Sequence, residues 1–588
     1  MTAGQLPDSL RILTALRPLD EAGFASLLAG RRVASRGIGD LLDLAELLDS
    51  PRNVTDTLIG LDWPTLRGLR AGTEDALTRA TELMLAVPNG GDAELLPIVQ
   101  STLDALLPVL PDFDAAVGSE STTAGATAAH ASAVLANDAL WLLDEAPRAV
   151  RAARGGVRMS GVEVRRLAIE LDQDAALIGS MYRWLLRAGL MAPLDEVWHP
   201  TAAGRAFINL PASQRWSVLI RAWLSELNLS DIRALQQHVG AGDDSGAVVT
   251  DLPAFEDEPT SATSAITLPG DGDARALEAE LLGLAERGQL TAAGALVLAG
   301  KVDEAEAAVA EAFPREVEQV YLQPDQTIIA PGPLPGDLDA GLRRISTLER
   351  RALASEYRIT AASIAHALGE GMNEAEIRGF LERISLTGIP QPIDYLVSNT
   401  VERFGLVRVR DRSRGAARAG SSVRALDPKL FDALRVDASL RALGLRPAGE
   451  VLESTVSAHT VLVTLLDARY PAVAEDELGN ALPLHPLITA PSYEAEPGPT
   501  AAKAAADLAT LAAESDVSDD HSTWLRRRLE LARRAKTAIA VTVRVGENET
   551  QTLRLVPTAV SPQRVRARDE DAEVERTLPL ASIVSLDD

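Results

Sequence analysis

A nucleotide-driven motor needs a lysine in the spacing G-x-x-x-x-G-K-[ST]. Backbone amides and the ammonium group then hold the phosphates while the hydroxyl holds magnesium. Lysine occurs at only four positions, Lys301, Lys429, Lys503 and Lys536, so the test can be exhaustive. Lys301 comes nearest, in GALVLAGKVDEA, but Gly294 stands one residue too far upstream and Val302 replaces the hydroxyl. Lys429 and Lys503 are followed by Leu430 and Ala504; Lys536 precedes Thr537, but Ala535 takes the place of the glycine. Asp195-Glu196-Val197-Trp198 imitates a DExH box without a buried strand before it. Other chemistry is equally thin. Cysteine is absent, the seven histidines lack the paired spacing of metal ligands, and there is no G-x-S-x-G. The expectation is a protein that is not an enzyme, with no metal and no cofactor.

The remaining charged groups of interest are arginines. In 156–210, VEVRRLAIEL reads as one helix, Asp174 caps AALIGSMYRWLLRAGL, Gly189 stops it, and MAPLDEVWHPT makes a hairpin. That order is a winged helix. Leu177, Ile178, Met181 and Leu185 would face inward, leaving Ser180, Arg183 and Arg187 outside, where with Arg165 and Arg166 they could lie on phosphates. A solvated, protein-docking face explains the same residues. Thr291-Ala292-Ala293-Gly294 repeats Thr201-Ala202-Ala203-Gly204 after a similar L-x-R-x-G helix end, which suggests a second, degraded winged helix. The densest basic run, RVRDRSRGAARAGSSVR, reads as a glycine-containing loop. In it Arg408, Arg410, Arg412, Arg414, Arg418 and Arg424 would grip a phosphate backbone or simply be solvated.

These residues need several domains to position them. The 588-residue chain suggests three to five, with enough apolar content for packed cores and no apolar run long enough to span a membrane. The stretch MTAGQLPDSLRILTALRPLDEAG has no basic segment before an apolar core, so no signal peptide is expected and the expected location is the cytoplasm, within reach of the nucleoid. A net charge of −27 opposes nonspecific coating of nucleic acid, though a local basic face is compatible with it. Abundant Ala, and Arg in place of Lys, fit a GC-rich bacterial genome. The expected organisation is an N-terminal helical domain over 1–112, with breaks at Ser50-Pro51 and Trp63-Pro64, and a linker over 113–130. A winged-helix domain over 131–237 and an acidic disordered linker over 238–275 follow, then a helical pair over 276–315. Next come an α/β domain over 316–411, a small α/β segment over 412–488, a linker over 489–520, and a helix with a small β-barrel over 521–588.

The stretch from Val320 carries the strongest signal. It contains Gln323-Pro324-Asp325 before QTIIA, then Tyr357-Arg358-Ile359-Thr360, Gly371, a helix from Ala375 to Ile384, Ser385 through Pro390, and Phe404-Gly405. Thr360 and Asn373 read as N-caps; Ile364, Ala365 and Leu368 form one apolar stripe, and Ile377, Phe380, Leu381 and Ile384 another. Over about 90 residues this resembles the N-terminal domain of XPB-type helicases, a helicase C-terminal type 3 domain. The resemblance implies docking, through residues such as Arg378 and Tyr395, to an XPB-type helicase, and it places the chain among bacterial helicase-associated proteins. DNA contact would be weak or partner-assisted. The C-terminal strands resemble WYL-type SH3-like domains, with Val565-Arg566-Ala567 where the Trp-Tyr-Leu signature belongs. The fold class expected is therefore α+β, multidomain and mainly helical, with winged-helix modules, an XPB N-terminal-like domain and a small C-terminal β-barrel. The functional expectation is a non-catalytic helicase partner in repair or transcription. Two alternatives stay open: a winged-helix/WYL-like DNA-binding regulator and a self-assembling scaffold.

Overall fold

The computed structural model describes residues 7–33, 38–89, 92–106, 124–144, 159–238, 271–351, 354–412, 420–482, 488–493, 499–514, 520–545, 550–570 and 572–587. The fold is mixed α+β and mainly helical. The chain divides into two compact units. One joins 1–112 and 224–237 to 495–588, and the other joins 113–223 to 238–494. Among the described residues no helix is long and apolar enough to cross a membrane.

In the first unit the helices break where the sequence places Ser-Pro and Trp-Pro. Ser50 caps Pro51–Gly60 and Asp62 caps Trp63–Ala71, each with proline in the first turn where no amide donor is needed. Asp40 and Asp43 form a reciprocal capping box on Leu41–Leu48, and the Arg527 guanidinium pairs with Asp43 at that same end. The expected linker over 489–520 is corrected: Pro499–Glu514 is a helix packed on Glu21–Gly30, with Ala504, Ala505, Leu508 and Ala512 buried. Alanine is the strongest helix former and allows close approach, which outweighs the Pro and Gly flanking the run.

The C-terminal strands run in the order Glu575–Pro579, Arg564–Asp569, Thr550–Val560, Ile539–Arg544, Ile583–Asp587, all antiparallel. The two edge strands do not pair with each other. The expected barrel is an open sheet, because Trp524, Leu525 and Leu529 of the helix Asp520–Ala535 cover its apolar face and no closure is required.

Asp49, at the end of Leu41–Leu48, is pushed up to about 6, first by burial and then by the carboxylates of Asp8 and Glu46, against Arg528 and Arg31. A carboxyl raised in the folded state favours folding at low pH, and that contribution is lost as pH rises from about 4 to about 6. Asp49→Asn should therefore add about 1 kcal/mol at pH 7, allowing for solvent screening, and nothing at pH 4. Thermal melts at the two pH values check this; equal shifts at both would contradict it.

The first described element of the second unit is the helix Ala124–Asp144, so the described part of the expected 113–130 linker is helical. Ala126, Ala129, Ala133, Ala136, Leu140 and Leu143 form its buried stripe. Two related helix–hairpin–helix segments pack on it. In the first, Ala175–Arg187 leads through Gly189 (φ +69°) into strands Met191–Leu194 and Val197–Pro200, then the helix Ala202–Ile208. In the second, Asp271–Leu281 leads through Gly283 (φ +73°) into Ala285–Glu286 and Gln289–Leu290, then Ala292–Leu298.

The repeated Thr-Ala-Ala-Gly performs the same task twice. Thr201 Oγ1 donates to the Gly189 carbonyl (2.6 Å) and accepts the Gly204 amide; Thr291 Oγ1 donates to the Gly283 carbonyl (2.9 Å) and accepts the Gly294 amide. A Cβ on Gly204 or Gly294 would lie 2.0 Å from the carbonyl oxygen of Leu190 or Leu284. The counterpart of Gly189 is thus Gly283, not the glycine of the L-x-R-x-G reading. Arg287 and Gly288 form the hairpin turn, both at positive φ.

Of the expected 238–275 linker, His238 ends the helix Leu229–His238, 239–270 lie outside the described residues, and from Asp271 the chain is helical. Beyond the repeats, a four-stranded antiparallel sheet runs Tyr321–Leu322, Thr327–Ala330, Ser355–Arg358, Thr347–Arg350. Gln323-Pro324-Asp325 belongs to the turn between its first two strands, closed by the Gln323 amide on the Thr327 carbonyl. The helices Gly336–Ile345, Ala361–Gly369, Glu374–Ile384 and Gln391–Arg403 supply the core around Tyr357, Ile364, Ile377, Leu381 and Val397. Thr360 and Asn373 each close a capping box. Ala367, rather than the expected Ala365, is the buried alanine of its helix. A six-stranded sheet follows, in the order Arg446–Ala448, Val451–Ser454, Ser421–Ala425, Val407–Asp411, Ala472–Glu475, Ala481–Leu482. Its strand Val407–Asp411 lies before the boundary expected at 411 and its other strands after it, so the sheet spans that boundary. One face of this sheet, with Val407, Val409, Val423 and Leu452, packs on the helices Pro428–Val436 and Ala458–Asp467.

Candidate functional site

The basic run read as a loop is, in its described part, a pair of strands. The alternation Val407-Arg408-Val409-Arg410 puts the valines into the core and the arginines on the opposite face. Directly paired residues share a face. Arg408 pairs with Arg424, Arg424 with Val451, and Val451 with Ala448, giving one row across four strands. Arg410, Ser422, Glu453 and Arg446 form the next row.

Two carboxylates brace this face. Glu475 accepts Arg424 at 2.8 Å and lies 3.4 Å from Arg408, whose guanidinium also donates to the Gly479 and Gly405 carbonyls. Glu453 accepts Arg412 at 2.8 Å. Arg410 and Arg446 are exposed and have no ion pair among the described residues. Five guanidiniums against two carboxylates leave the face positive within a strongly acidic chain. Arg414 and Arg418 lie outside the described residues. Arg424 belongs to the basic run the sequence singles out, whereas Arg446 and the bracing Glu453 and Glu475 were missed as site residues, and only the VRVR alternation, a strand signal, could have pointed to them.

The helix pair expected to present Ser180, Arg183 and Arg187 is arranged differently. Ser180 is buried, not exposed, and donates to Glu278 Oε1 at 2.7 Å; the Arg183 guanidinium donates to the same oxygen at 2.6 Å. Trp223 Nε1 and Arg275 occupy the other carboxylate oxygen, at 3.1 and 2.8 Å. Burial is the largest influence on Glu278 and would raise it, but Arg275, Arg183 and Ser180 together hold it below the ordinary glutamate range. Arg166 pairs with Glu163 and Glu170 on its own helix, while Arg165 and Arg187 stay exposed. The structure therefore does not bring the five together as one open surface. The docking candidates part in the same way: Arg378 binds Glu374, Ser398 and Asp394, tying two helices together, whereas Tyr395 is 70% exposed.

With this geometry in place, comparison with known families gives one assignment. Residues 320–448 match the helicase conserved C-terminal domain. The matched segment takes in the four-stranded sheet, its helices and the strands carrying Arg408, Arg410, Arg424 and Arg446. The chain thus contains a helicase C-terminal-type domain. No curated protein matches the chain. Among the described residues no group of three or more His, Cys, Asp or Glu could hold a metal ion.

Proposed function

We propose that the chain is a non-catalytic partner of a DNA helicase of the XPB type, docking through its helicase C-terminal-type domain. In this reading it helps the helicase engage DNA in repair or transcription. The match over 320–448 carries the proposal. The position of Lys301 supports the non-catalytic part: it directly precedes the helix Val302–Ala312 and follows another helix, Ala292–Leu298, where a P-loop would follow a strand. The two helix–hairpin–helix segments then serve as winged-helix modules that build protein contacts. The regulator alternative loses support, because Ser180 and Arg183 of its recognition helix are committed to Glu278.

The test is a titration of the full chain against an XPB-type helicase from the same organism, with and without forked DNA, following complex mass and ATPase rate together. A complex with an altered ATPase rate is the expected result, and no complex under either condition would refute the docking role. Within that experiment Tyr395→Glu should weaken the complex at least about tenfold, since exposed aromatics anchor interfaces, with thermal stability unchanged. An unaltered affinity would move the docking surface away from the helix Gln391–Arg403.

A further inference from the structure

The arginine-bearing face of the six-stranded sheet has chemistry that the docking proposal leaves unused. Its side chains are Arg, Ser, Glu, Val and Ala in register, with no aromatic residue in either row, so it offers no platform on which unpaired bases would stack. What it offers is guanidinium groups at fixed intervals. Arg410 and Arg446 stand three strands apart, about 14 Å at ordinary strand spacing, comparable with the roughly 12 Å width of a duplex major groove. Glu475 and Glu453 hold Arg408, Arg424 and Arg412 in place, while Arg410 and Arg446 are left for an external anion.

We propose that this face binds the sugar–phosphate backbone of duplex nucleic acid, independent of base sequence, with Arg410 and Arg446 contacting phosphates on either side of a groove. The charge excess matches a polyanion, and the lack of stacking groups favours a duplex over a single strand. The binding needs no helicase, so it stands or falls separately from the docking role.

The experiment measures binding of the full-length chain to a labelled 30-bp duplex and the matching single strand by fluorescence anisotropy over a range of salt. Arg410→Glu with Arg446→Glu should weaken duplex binding more than about tenfold at low salt. The slope of log affinity against log salt should fall by about two contacts' worth, roughly 0.9 per phosphate. The double lysine variant, which keeps both charges, should stay near the parent and so separates loss of contact from loss of fold. Arg435→Glu in the helix Pro428–Val436 with Arg441→Glu in the short helix Ala438–Leu443, both elements packed on the valine face of the sheet, makes the same charge change and should leave binding within about threefold. Equal losses in the two glutamate pairs would overturn the site, as would the absence of any duplex binding. Single strand bound tenfold tighter than duplex would overturn the assignment to duplex.

Discussion

With Glu278 replaced by alanine, the second unit should lose about 3–5 kcal/mol of stability, the usual cost of breaking a buried, fully bonded ion cluster. The carboxylate is 3% exposed and receives four donors from three separate helices. Truncation strands them unequally. Arg183, 41% exposed on its side chain, can turn to water, but Ser180 and the Trp223 indole stay buried. Arg183→Ala alone should therefore cost about 1–2 kcal/mol, less than the carboxylate it serves. Urea unfolding followed by tryptophan emission is a suitable readout, because Trp184, Trp216 and Trp223 are all buried in this region. The pH dependence has a definite sign. Glu278 is held below its ordinary range in the folded state, so its contribution is complete above that range and is lost as the pH falls through the lowered value. Glu278→Gln should accordingly flatten the acid limb of the stability profile. A Glu278→Ala midpoint within about 1 kcal/mol of the parent would show that the donors find other partners.

The same cluster marks a limit of sequence reading. Helical spacing correctly sends Ile178, Met181 and Leu185 inward and leaves Arg183 exposed, but by the same logic it sends Ser180 to solvent, where the structure buries it. What Ser180 meets there, and what Arg183 pairs with, is Glu278, 98 positions from Ser180 in the chain, and amphipathicity carries no record of a polar partner at that distance. Local signals fared better. The caps at Thr360 and Asn373, the proline breaks of the first unit and the Thr-Ala-Ala-Gly repeat each depend on neighbours within a few residues, and each is present. The arginine face was half legible: Arg408 and Arg410 were singled out for their charge, but composition suggested a loop where the alternation specifies a strand. Strand count likewise does not determine closure, since a covering helix can bury one face of a sheet and leave it open.

Asp339 marks a second place where distant segments meet, and Asp339→Ala should also cost about 3–5 kcal/mol. Its carboxylate accepts the Tyr357 hydroxyl at 2.5 Å, Asn137 Nδ2 at 3.0 Å and Arg343 Nε at 3.1 Å. Arg343 also pairs with Asp138 and lies 5.4 Å from the centre of the Trp141 ring, and Arg351 reaches Asp138 at 2.5 Å. Asn137, Asp138 and Trp141 belong to the helix Ala124–Asp144, outside the matched family segment, whereas Asp339, Arg343, Arg351 and Tyr357 lie inside it. The cluster therefore fastens the helicase C-terminal-type domain to the helix on which the two repeats pack. Burial and the neighbouring Asp339 raise the Tyr357 phenol, so that it stays a proton donor at any physiological pH. Tyr357→Phe removes one neutral donor and leaves the other two, and should cost only about 1–2 kcal/mol. Hydrogen exchange separates a joint from a mere core defect. If Asp339 holds the two parts together, Asp339→Ala should speed exchange in 124–144 more than in the helix Glu374–Ile384, although both belong to the same unit. Equal acceleration in the two helices would mean that Asp339 stabilises the unit as a whole rather than this contact.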